Sequence, residues 1–257
     1  MAALVHTYQM AVLFALSNSY STTALYLQSV KWPQSVVSSL VPSLFTIPMW
    51  LGLAYTKPAN RVPTVRPTDS FFRRSSLTSV MAQAALNVGC MSFVVSIANR
   101  HTPLSKVGLL GPREFVPNMV TNVVFLLSLV QEVGMCLVNF KGRPFMTGVL
   151  ELRPVLFSGG ATLLLCLVLT TEIFPGLNEM FELAPFPSLQ MKAMVLVAMT
   201  VSVLGGVAVD RLAVKVFDPD LHKARTHLKL SQKAKVNLRY LAILLAFALI
   251  QMSSLSQ

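Results

Sequence analysis

The chain has 257 residues, of which 54% are hydrophobic and only 12% charged, and its formal net charge is +11. Soluble domains carry about a quarter charged residues, so this composition excludes an ordinary soluble domain and indicates a membrane protein. The charge does not indicate nucleic-acid binding, because the basic residues lie mainly between apolar runs without an aromatic-and-basic groove or a zinc spacing.

Six apolar runs follow one another along the chain, each about as long as the roughly 20 residues that cross a bilayer as a helix. We therefore predict an all-α fold, a polytopic transmembrane helical bundle with six spans and a short C-terminal apolar or interfacial helix. The predicted membrane domain covers residues 1–217, with spans at about 4–30, 35–55, 77–98, 117–140, 154–173 and 190–212.

Residues 218–257 form a basic tail that is expected to be cytosolic. Its last apolar run, Tyr240–Met252, is short for a span, so we predict a re-entrant helix or one that lies on anionic lipid.

Polar residues interrupt the middle of the first span. At 100° per residue Ser17, Ser21 and Gln28 fall on one face of a helix, with Asn18 and Thr22 beside them. Two interpretations stay open: the side chains hydrogen-bond neighbouring helices, or they line a substrate path. These five residues are our candidates for a substrate pathway.

The fourth span carries Asn122, Gln131 and Glu132 within an apolar run. A charged side chain at the centre of a bilayer costs roughly 2.5–3.5 kcal/mol on insertion scales, so Glu132 is expected to face protein or water. We predict that the three are structural polar residues of the bundle interior, with Glu132 paired or protonated.

The loops predict the orientation of the spans. Residues 56–76, 140–154 and 211–239 contain sixteen lysines and arginines, whereas 31–34, 99–118 and 174–189 contain four. Cytoplasmic loops carry the excess of positive charge, so both ends of the six-span unit are predicted to be cytosolic.

No catalytic constellation is present in the sequence. Cys90, Cys136 and Cys166 lie in apolar spans without metal or redox spacing, and the histidines are scattered, so neither a catalytic residue nor a metal site is predicted.

The most specific motif is the stretch Glu114–Phe145, which begins E-F-V-P-N and ends N-F-K-G-R-P-F. It resembles the eighth membrane helix and following cytosolic turn of the type five, subclass A, P-type ATPases of the endoplasmic reticulum. Ser19–Trp32 is similar to the family's fifth helix and its luminal turn. Thr171–Phe186 resembles the loop before the last helix, and Val209–Leu212 resembles the end of that helix.

The resemblance implies a fold like that of ion pumps, with the six spans as helices five to ten. It implies an ATP-driven translocase that extracts mistargeted transmembrane helices from the endoplasmic reticulum membrane; older assignments for the family are manganese or cation transport. The implied partners are the lipid bilayer, a transmembrane-helix substrate and the remaining pump domains. ATP and Mg²⁺ are implied for full-length members, and no cofactor is expected in this chain.

The chain also departs from the family pattern. Gln28 and Ser29 stand where the family has an acidic residue and a glycine, and Glu132 stands where members often carry glutamine. The phosphorylated aspartate motif and the nucleotide domain are absent from this sequence, so this chain alone cannot form an aspartyl-phosphate. Two interpretations follow: a membrane portion of such a pump, as a fragment or split subunit, or a non-enzymatic scaffold or regulatory protein derived from one. A secondary carrier is a third, generic possibility, but the internal repeats it predicts are not evident.

Overall fold

A computed structural model describes residues 2–27, 35–59, 65, 70–101, 117–226 and 231–242. Within these ranges the chain is helical apart from connecting turns and loops and contains no β-strand, which confirms the predicted all-α fold. The helices are α1 (Ala2–Leu27), α2 (Val36–Ala54), α3 (Arg74–His101), α4 (Met119–Asn139), α5 (Arg153–Thr171), α6 (Pro175–Met180), α7 (Leu189–Phe217), α8 (Pro219–Thr226) and α9 (residues 232–242), with a 3-10 helix at Val149–Glu151.

Five of these helices, α2, α3, α4, α5 and α7, are long and apolar enough to cross a membrane. The first helix, α1, has 26 residues and is therefore long enough to cross a membrane. Because polar residues interrupt its middle, it is less apolar than these five helices. A polytopic helical bundle is thus confirmed, and a sixth crossing by α1 stays a prediction.

Side-chain caps fix where several helices begin. The Asn118 side chain accepts from the Val120 backbone N–H at 2.9 Å at the start of α4, and Ser188 accepts from the Met191 N–H at 3.2 Å at the start of α7. Each cap satisfies a backbone donor that the first turn leaves free. Helix α7 continues to Phe217, five residues beyond the predicted span, and so extends past the apolar run itself.

The centre of the bundle is α4, which packs against α1, α3, α5 and α7. In its most apolar stretch of 18 residues 83% is buried, whereas the share is 29–44% in the corresponding stretches of the other four apolar helices. Helices in lipid associate through close packing and interhelical hydrogen bonds rather than through the hydrophobic effect. A helix surrounded by four neighbours is therefore the place where polar side chains can be satisfied.

Helices α2 and α5 approach each other closely at Gly52. A Cβ atom added there would lie 2.8 Å from Cγ2 of Val155, so a larger residue would push the two helices apart. Ser158 of α5 also donates a hydrogen bond to the Phe45 carbonyl of α2. This pairing holds the proline-containing α2 against the bundle.

The loops and helix ends gather at two opposite ends of the bundle. The basic end contains residues 55–59, 70–76, 139–153 and 210–226, and there the Thr147 backbone N–H donates to the Lys57 carbonyl at 3.0 Å. The acidic end contains residues 172–188, including Glu179 and Glu182, and Glu172 pairs with Lys192 at 2.6 Å.

Helix α9 packs against the beginning of α5. Asn237 donates to the Leu150 carbonyl at 3.0 Å and accepts from Arg153 at 3.2 Å, and Leu241 lies against Gly160. Most of the predicted apolar run 240–252 lies outside the described residues.

Candidate functional site

A chain of hydrogen bonds crosses the middle of the bundle from α1 to α7. Ser17 donates to Oε1 of Gln131 at 3.0 Å, and Nε2 of Gln131 donates to the Asn87 carbonyl at 3.0 Å. The Asn87 side chain in turn accepts from Ser202 at 2.8 Å. All four residues are buried, and in a membrane interior such groups must find partners within the protein. We call these four residues the transverse chain.

A second polar layer lies at the basic end, where α3, α4 and α7 meet. Asn139 donates to Oε1 of Gln83 at 2.9 Å, and Gln83 donates back to Oδ1 of Asn139 at 3.2 Å. Gln83 also donates to Ser79, which donates to Asp210 at 2.7 Å. An ion pair of 2.7 Å between Lys141 and Asp210 completes the layer. We call these five residues the basic-end clamp.

The ion pair of the clamp is shielded from water, since the side chains of Lys141 and Asp210 are only 8% and 9% exposed. Burial lowers the pKa of Lys141, whereas the neighbouring Asp210 carboxylate acts in the opposite direction. Removing one partner of a buried pair costs about 3–5 kcal/mol, because the other charge is left uncompensated. The pair therefore fixes the end of α7 against the turn after α4.

The turn after α4 depends on a glycine and on a second ion pair. A Cβ atom added at Gly142 would overlap the carbonyl oxygen of Thr147, so no larger residue fits there without moving the backbone. Arg143 pairs with Glu151, and Ser231 donates to the same carboxylate. Burial raises the pKa of Glu151, but hydrogen bonds from Ser231 and a backbone amide, with the charge of Arg143, hold it below its usual value. The string K-G-R-P thus joins α4, the 3-10 helix and the start of α9.

A cavity of about 170 Å³ lies between α1, α2 and α4. Asn18 lines it from α1, and Glu132 lines it from α4 while accepting a hydrogen bond of 2.8 Å from Nε1 of Trp50. A polar cavity of this size is wide enough for water. We call it the α1–α2 cavity, and hydroxyl groups complete its polar lining: Ser17, Ser38, Ser39, Ser43, Thr46 and Ser128.

The five candidate substrate-pathway residues occupy different positions. Ser17 and Ser21 are buried and bond to α4, Ser21 through a hydrogen bond of 3.1 Å to Ser128. Asn18 and Thr22 are exposed at the bundle surface. Gln28 lies outside the described residues. A substrate role for these residues stays a prediction.

The three polar residues predicted inside the fourth span each contact another element. Asn122 donates to the Ala184 carbonyl at 2.7 Å, which ties α4 to the loop at the acidic end. Gln131 belongs to the transverse chain, and Glu132 is held by Trp50 of α2.

A larger cavity of about 680 Å³ opens at the basic end, and we call it the basic-end cavity. It lies between the end of α4, the 3-10 helix, α7, α8 and α9. Both carboxylates in its wall, Asp210 and Glu151, are paired with cations, and Arg211 and Arg225 add further positive charge. The described residues contain no cluster of three histidine, cysteine or acidic side chains that a metal site needs.

The roles of Ser79 and Asp210 are not evident from the sequence, although a signal for one of them is present. Ser79, Gln83 and Asn87 recur every four residues in α3 and so share one face of that helix. Their partners are distant in the chain: Gln83 meets Asn139 across 56 residues, and Ser79 meets Asp210 across 131. Periodicity alone therefore finds the face and not what it contacts.

The fold and its polar layers define the class of protein: a multi-pass α-helical membrane protein whose helices are joined by buried polar side chains. No family model matches the chain. Curated proteins do match it. The endoplasmic reticulum transmembrane helix translocase spfA of Aspergillus fumigatus is 25% identical over 223 residues, which cover 84% of this chain and 16% of that protein.

Two further relatives also match more than two thirds of the chain. The endoplasmic reticulum transmembrane helix translocase of Saccharomyces cerevisiae is 28% identical over 71% of this chain and 15% of its own length. The "Probable manganese-transporting ATPase PDR2" of Arabidopsis thaliana is 25% identical over 72% of this chain and 16% of its own length. These matches confirm the resemblance predicted from the motifs. The chain spans about 15–16% of the length of these relatives.

The described residues that line the basic-end cavity do not fit a bound Mg²⁺–ATP. Asp210 and Glu151, the carboxylates of the basic-end cavity, are engaged by cations and leave no free acidic ligand for the metal. Lys141 is held by Asp210, so it is not free for a nucleotide phosphate.

Proposed function

We propose that this chain forms the membrane-embedded part of an ATP-driven translocase that removes transmembrane helices from the endoplasmic reticulum membrane. The names of the matched fungal proteins support this function. The observation in the structure that carries it is the polar surface of α1, where Asn18 and Thr22 are exposed beside the α1–α2 cavity. Lipid tails cannot satisfy such groups, whereas a second helix with its own polar residues can.

The proposal assigns different tasks to different helices. The transverse chain and the basic-end clamp hold α3, α4 and α7 together and form a support. The open side of α1 and α2 receives the polar flank of the client helix, with Asn18 as the residue at the entrance of the cavity. Ser17 and Ser21 keep α1 attached to the support through their hydrogen bonds to α4.

The orientation is part of the proposal. We place the basic end in the cytosol and the acidic end in the lumen, which puts both ends of the six-span unit in the cytosol. The described cations Arg73, Lys141 and Arg143 at the basic end support this orientation. ATP hydrolysis then belongs to pump domains outside this chain, and these domains are proposed partners of the basic end.

A non-enzymatic scaffold or regulatory protein is the second candidate. Sequencing the transcript upstream of Met1 distinguishes the two candidates. An open frame that continues into an Asp-Lys-Thr-Gly-Thr motif supports the translocase, whereas an in-frame stop codon and a separate promoter support the scaffold.

Photo-crosslinking tests the client site directly. A photoreactive amino acid is introduced at Asn18 in the native gene, so that the chain carries every domain the gene encodes, and a mistargeted tail-anchored protein is expressed beside it. We expect a crosslink from position 18 to the client. The matched control is position 21, one turn along α1 but buried against α4, which should crosslink only within the bundle. Crosslinks from position 18 to neighbouring helices alone would refute the client site.

A further inference from the structure

The Nε atom of Arg225 in the basic-end cavity lacks the hydrogen-bond partner that a buried donor normally has. Its side chain lines the cavity, and its Nε atom is buried without a hydrogen-bond partner among the described residues. A guanidinium carries five N–H donors, and buried donors are nearly always paired. Burial lowers the pKa of Arg225, while Asp210 and Asp218 act in the opposite direction. The guanidinium is thus partly buried in the cavity wall, and no described carboxylate forms an ion pair with it.

The carboxylates around Arg225 already have cations of their own. The pairs are Asp210 with Lys141, Asp218 with Arg73, and Glu151 with Arg143. Within the described part of the chain, Arg211 and Arg225 of the cavity wall have no such ion pair. The cavity therefore carries an excess of positive charge, which lies on Arg211 and on Arg225, the residue with the unpaired donor.

We propose that the basic-end cavity binds the phosphate group of an anionic ligand, with Arg225 as the principal donor and Arg211 as the second charge at its rim. A phosphate monoester presents three acceptor oxygens and matches the planar fork of a guanidinium. The volume of about 680 Å³ lies within the range of roughly 300–1,000 Å³ that small-molecule sites have.

The phosphate can belong to a lipid headgroup or to a soluble phosphate, and the position of the cavity favours the lipid. The cavity lies at the ends of the membrane helices, and its wall includes Leu137, Val138 and Val207, which are apolar residues of α4 and α7. A ligand with a phosphate head and an apolar chain can contact the arginines with its phosphate and these apolar residues with its chain. Basic pockets between helices on the cytosolic side commonly bind anionic headgroups in this way.

Native mass spectrometry of the full chain in a neutral detergent measures this binding. The probe is dioctanoyl phosphatidic acid, whose headgroup is a phosphate monoester, and the comparison lipids are dioctanoyl phosphatidylserine and phosphatidylcholine. We expect one saturable phosphatidic acid adduct, with weaker binding of phosphatidylserine and none of phosphatidylcholine. Competition by inorganic phosphate and pyrophosphate distinguishes the source of the phosphate.

Three variants test the residues. Arg225→Gln removes the charge but keeps an amide donor, and we expect about tenfold weaker binding or more, because a charge-assisted hydrogen bond is lost. Arg211→Gln, at an exposed position, should weaken binding about two- to fivefold, in keeping with the small worth of an exposed charge. The charge-matched control is Lys215→Gln, because Lys215 is exposed on the last turns of α7 and outside the cavity; it should change binding less than about twofold. Circular dichroism confirms that each variant is folded.

The outcomes separate cleanly. Weaker binding in the two arginine variants but not in Lys215→Gln supports the site, and resistance to millimolar phosphate then assigns it to lipid. Displacement by inorganic phosphate or pyrophosphate at equal concentration supports the site and assigns it to a soluble phosphate. Equal weakening by all three variants, or equal binding of phosphatidylserine and phosphatidic acid, means general surface attraction and overturns the proposal, as does the absence of an adduct.

This site does not depend on the client site of the proposed function. Only the assignment to the cytosolic leaflet rests on the proposed orientation. Crosslinking at position 18 and lipid binding at Arg225 are measured separately, so failure of one leaves the other standing.

Discussion

The basic-end clamp and the α1–α2 cavity are both polar regions between helices, yet they differ in how their polar groups are satisfied. In the clamp, Lys141 and Asp210 are buried and paired at 2.7 Å, and Asn139 is joined to α3 by two hydrogen bonds. At the cavity, Asn18 is exposed at the bundle surface, and Glu132 is held by a single bond from Trp50.

This difference indicates which region holds the bundle together and which is available for contact. Interhelical polar bonds in a membrane fix helices because the alternative is an unpaired group in hydrocarbon. Helices whose polar groups are already paired are held in place, because moving them would break hydrogen bonds. Exposed polar groups, in contrast, can form new hydrogen bonds with another helix. The four substitutions that follow test this contrast, in order of decreasing expected effect on stability.

The largest effect is expected for Asp210→Asn in the clamp. Asparagine still accepts from Ser79 but leaves the buried Lys141 charge without a counter-charge, so we expect a loss of about 3–5 kcal/mol. The midpoint of thermal unfolding in detergent measures it. Asp220→Asn, at an exposed position of α8, is the control and should change little.

A double variant shows whether the loss comes from the pair. Adding Lys141→Gln to Asp210→Asn removes the unpaired charge, so more than half of the stability should return. A double variant as unstable as Asp210→Asn would mean that another interaction of Asp210 dominates.

Gly142→Ala is expected to destabilise the turn by about 1–3 kcal/mol, because the new Cβ collides with a backbone carbonyl that cannot move freely. The matched control is Gly89→Ala in α3, where nothing lies within 4 Å of the added atom. Alanine there should be neutral or slightly stabilising, since it is the better helix former. Limited proteolysis of the basic end checks both variants, and equal protection in both would contradict the collision.

Gln131→Leu breaks the transverse chain at its central residue. It removes hydrogen bonds to Ser17 and to the Asn87 carbonyl, and at roughly 0.6 kcal/mol for an average bond in a membrane protein the loss should be about 1 kcal/mol. Unfolding in a graded mixture of mild and denaturing detergent measures the change. Gln190→Leu, exposed in the first turn of α7, serves as the reference. An equal loss of stability in both variants would mean that the transverse chain does not stabilise the bundle.

Glu132→Gln should have the smallest effect, below about 0.5 kcal/mol. The glutamine carbonyl still accepts from Nε1 of Trp50, so the contact between α2 and α4 is kept. Assembly and crosslinking of the client from position 18 should both be preserved. A severe loss of client capture with normal stability would show that the carboxylate acts on the substrate path directly.

Much of the fold could be predicted because the bilayer allows few solutions. A backbone in hydrocarbon must satisfy its own hydrogen bonds, so apolar runs of span length can only be helices. The predicted runs correspond to α1 to α5 and α7, while α7 extends to Phe217 because its last turns lie beyond the apolar run. The stretch Glu114–Phe145, together with the shorter similar segments, also predicted the relatives that the chain matches.

The candidate site was predicted less completely. Periodicity placed Ser17 and Ser21 on one face of α1, and both residues do bond to α4. It did not separate them from Asn18, which is exposed only one residue away. Which of two adjacent polar residues meets a neighbour depends on where that neighbour lies, and a helical pattern does not contain this information.

The helices, their polar faces and the turn that carries the family likeness could be predicted without a structure, because they follow from local chemistry and from the length of apolar runs. The pairs, such as Lys141 with Asp210 and Gln83 with Asn139, could not. The physical reason is that several buried polar residues on α3, α4 and α7 have equivalent donors and acceptors. The packing of the helices decides which donor lies next to which acceptor. It also leaves Nε of Arg225 at the basic-end cavity without a hydrogen-bond partner among the described residues.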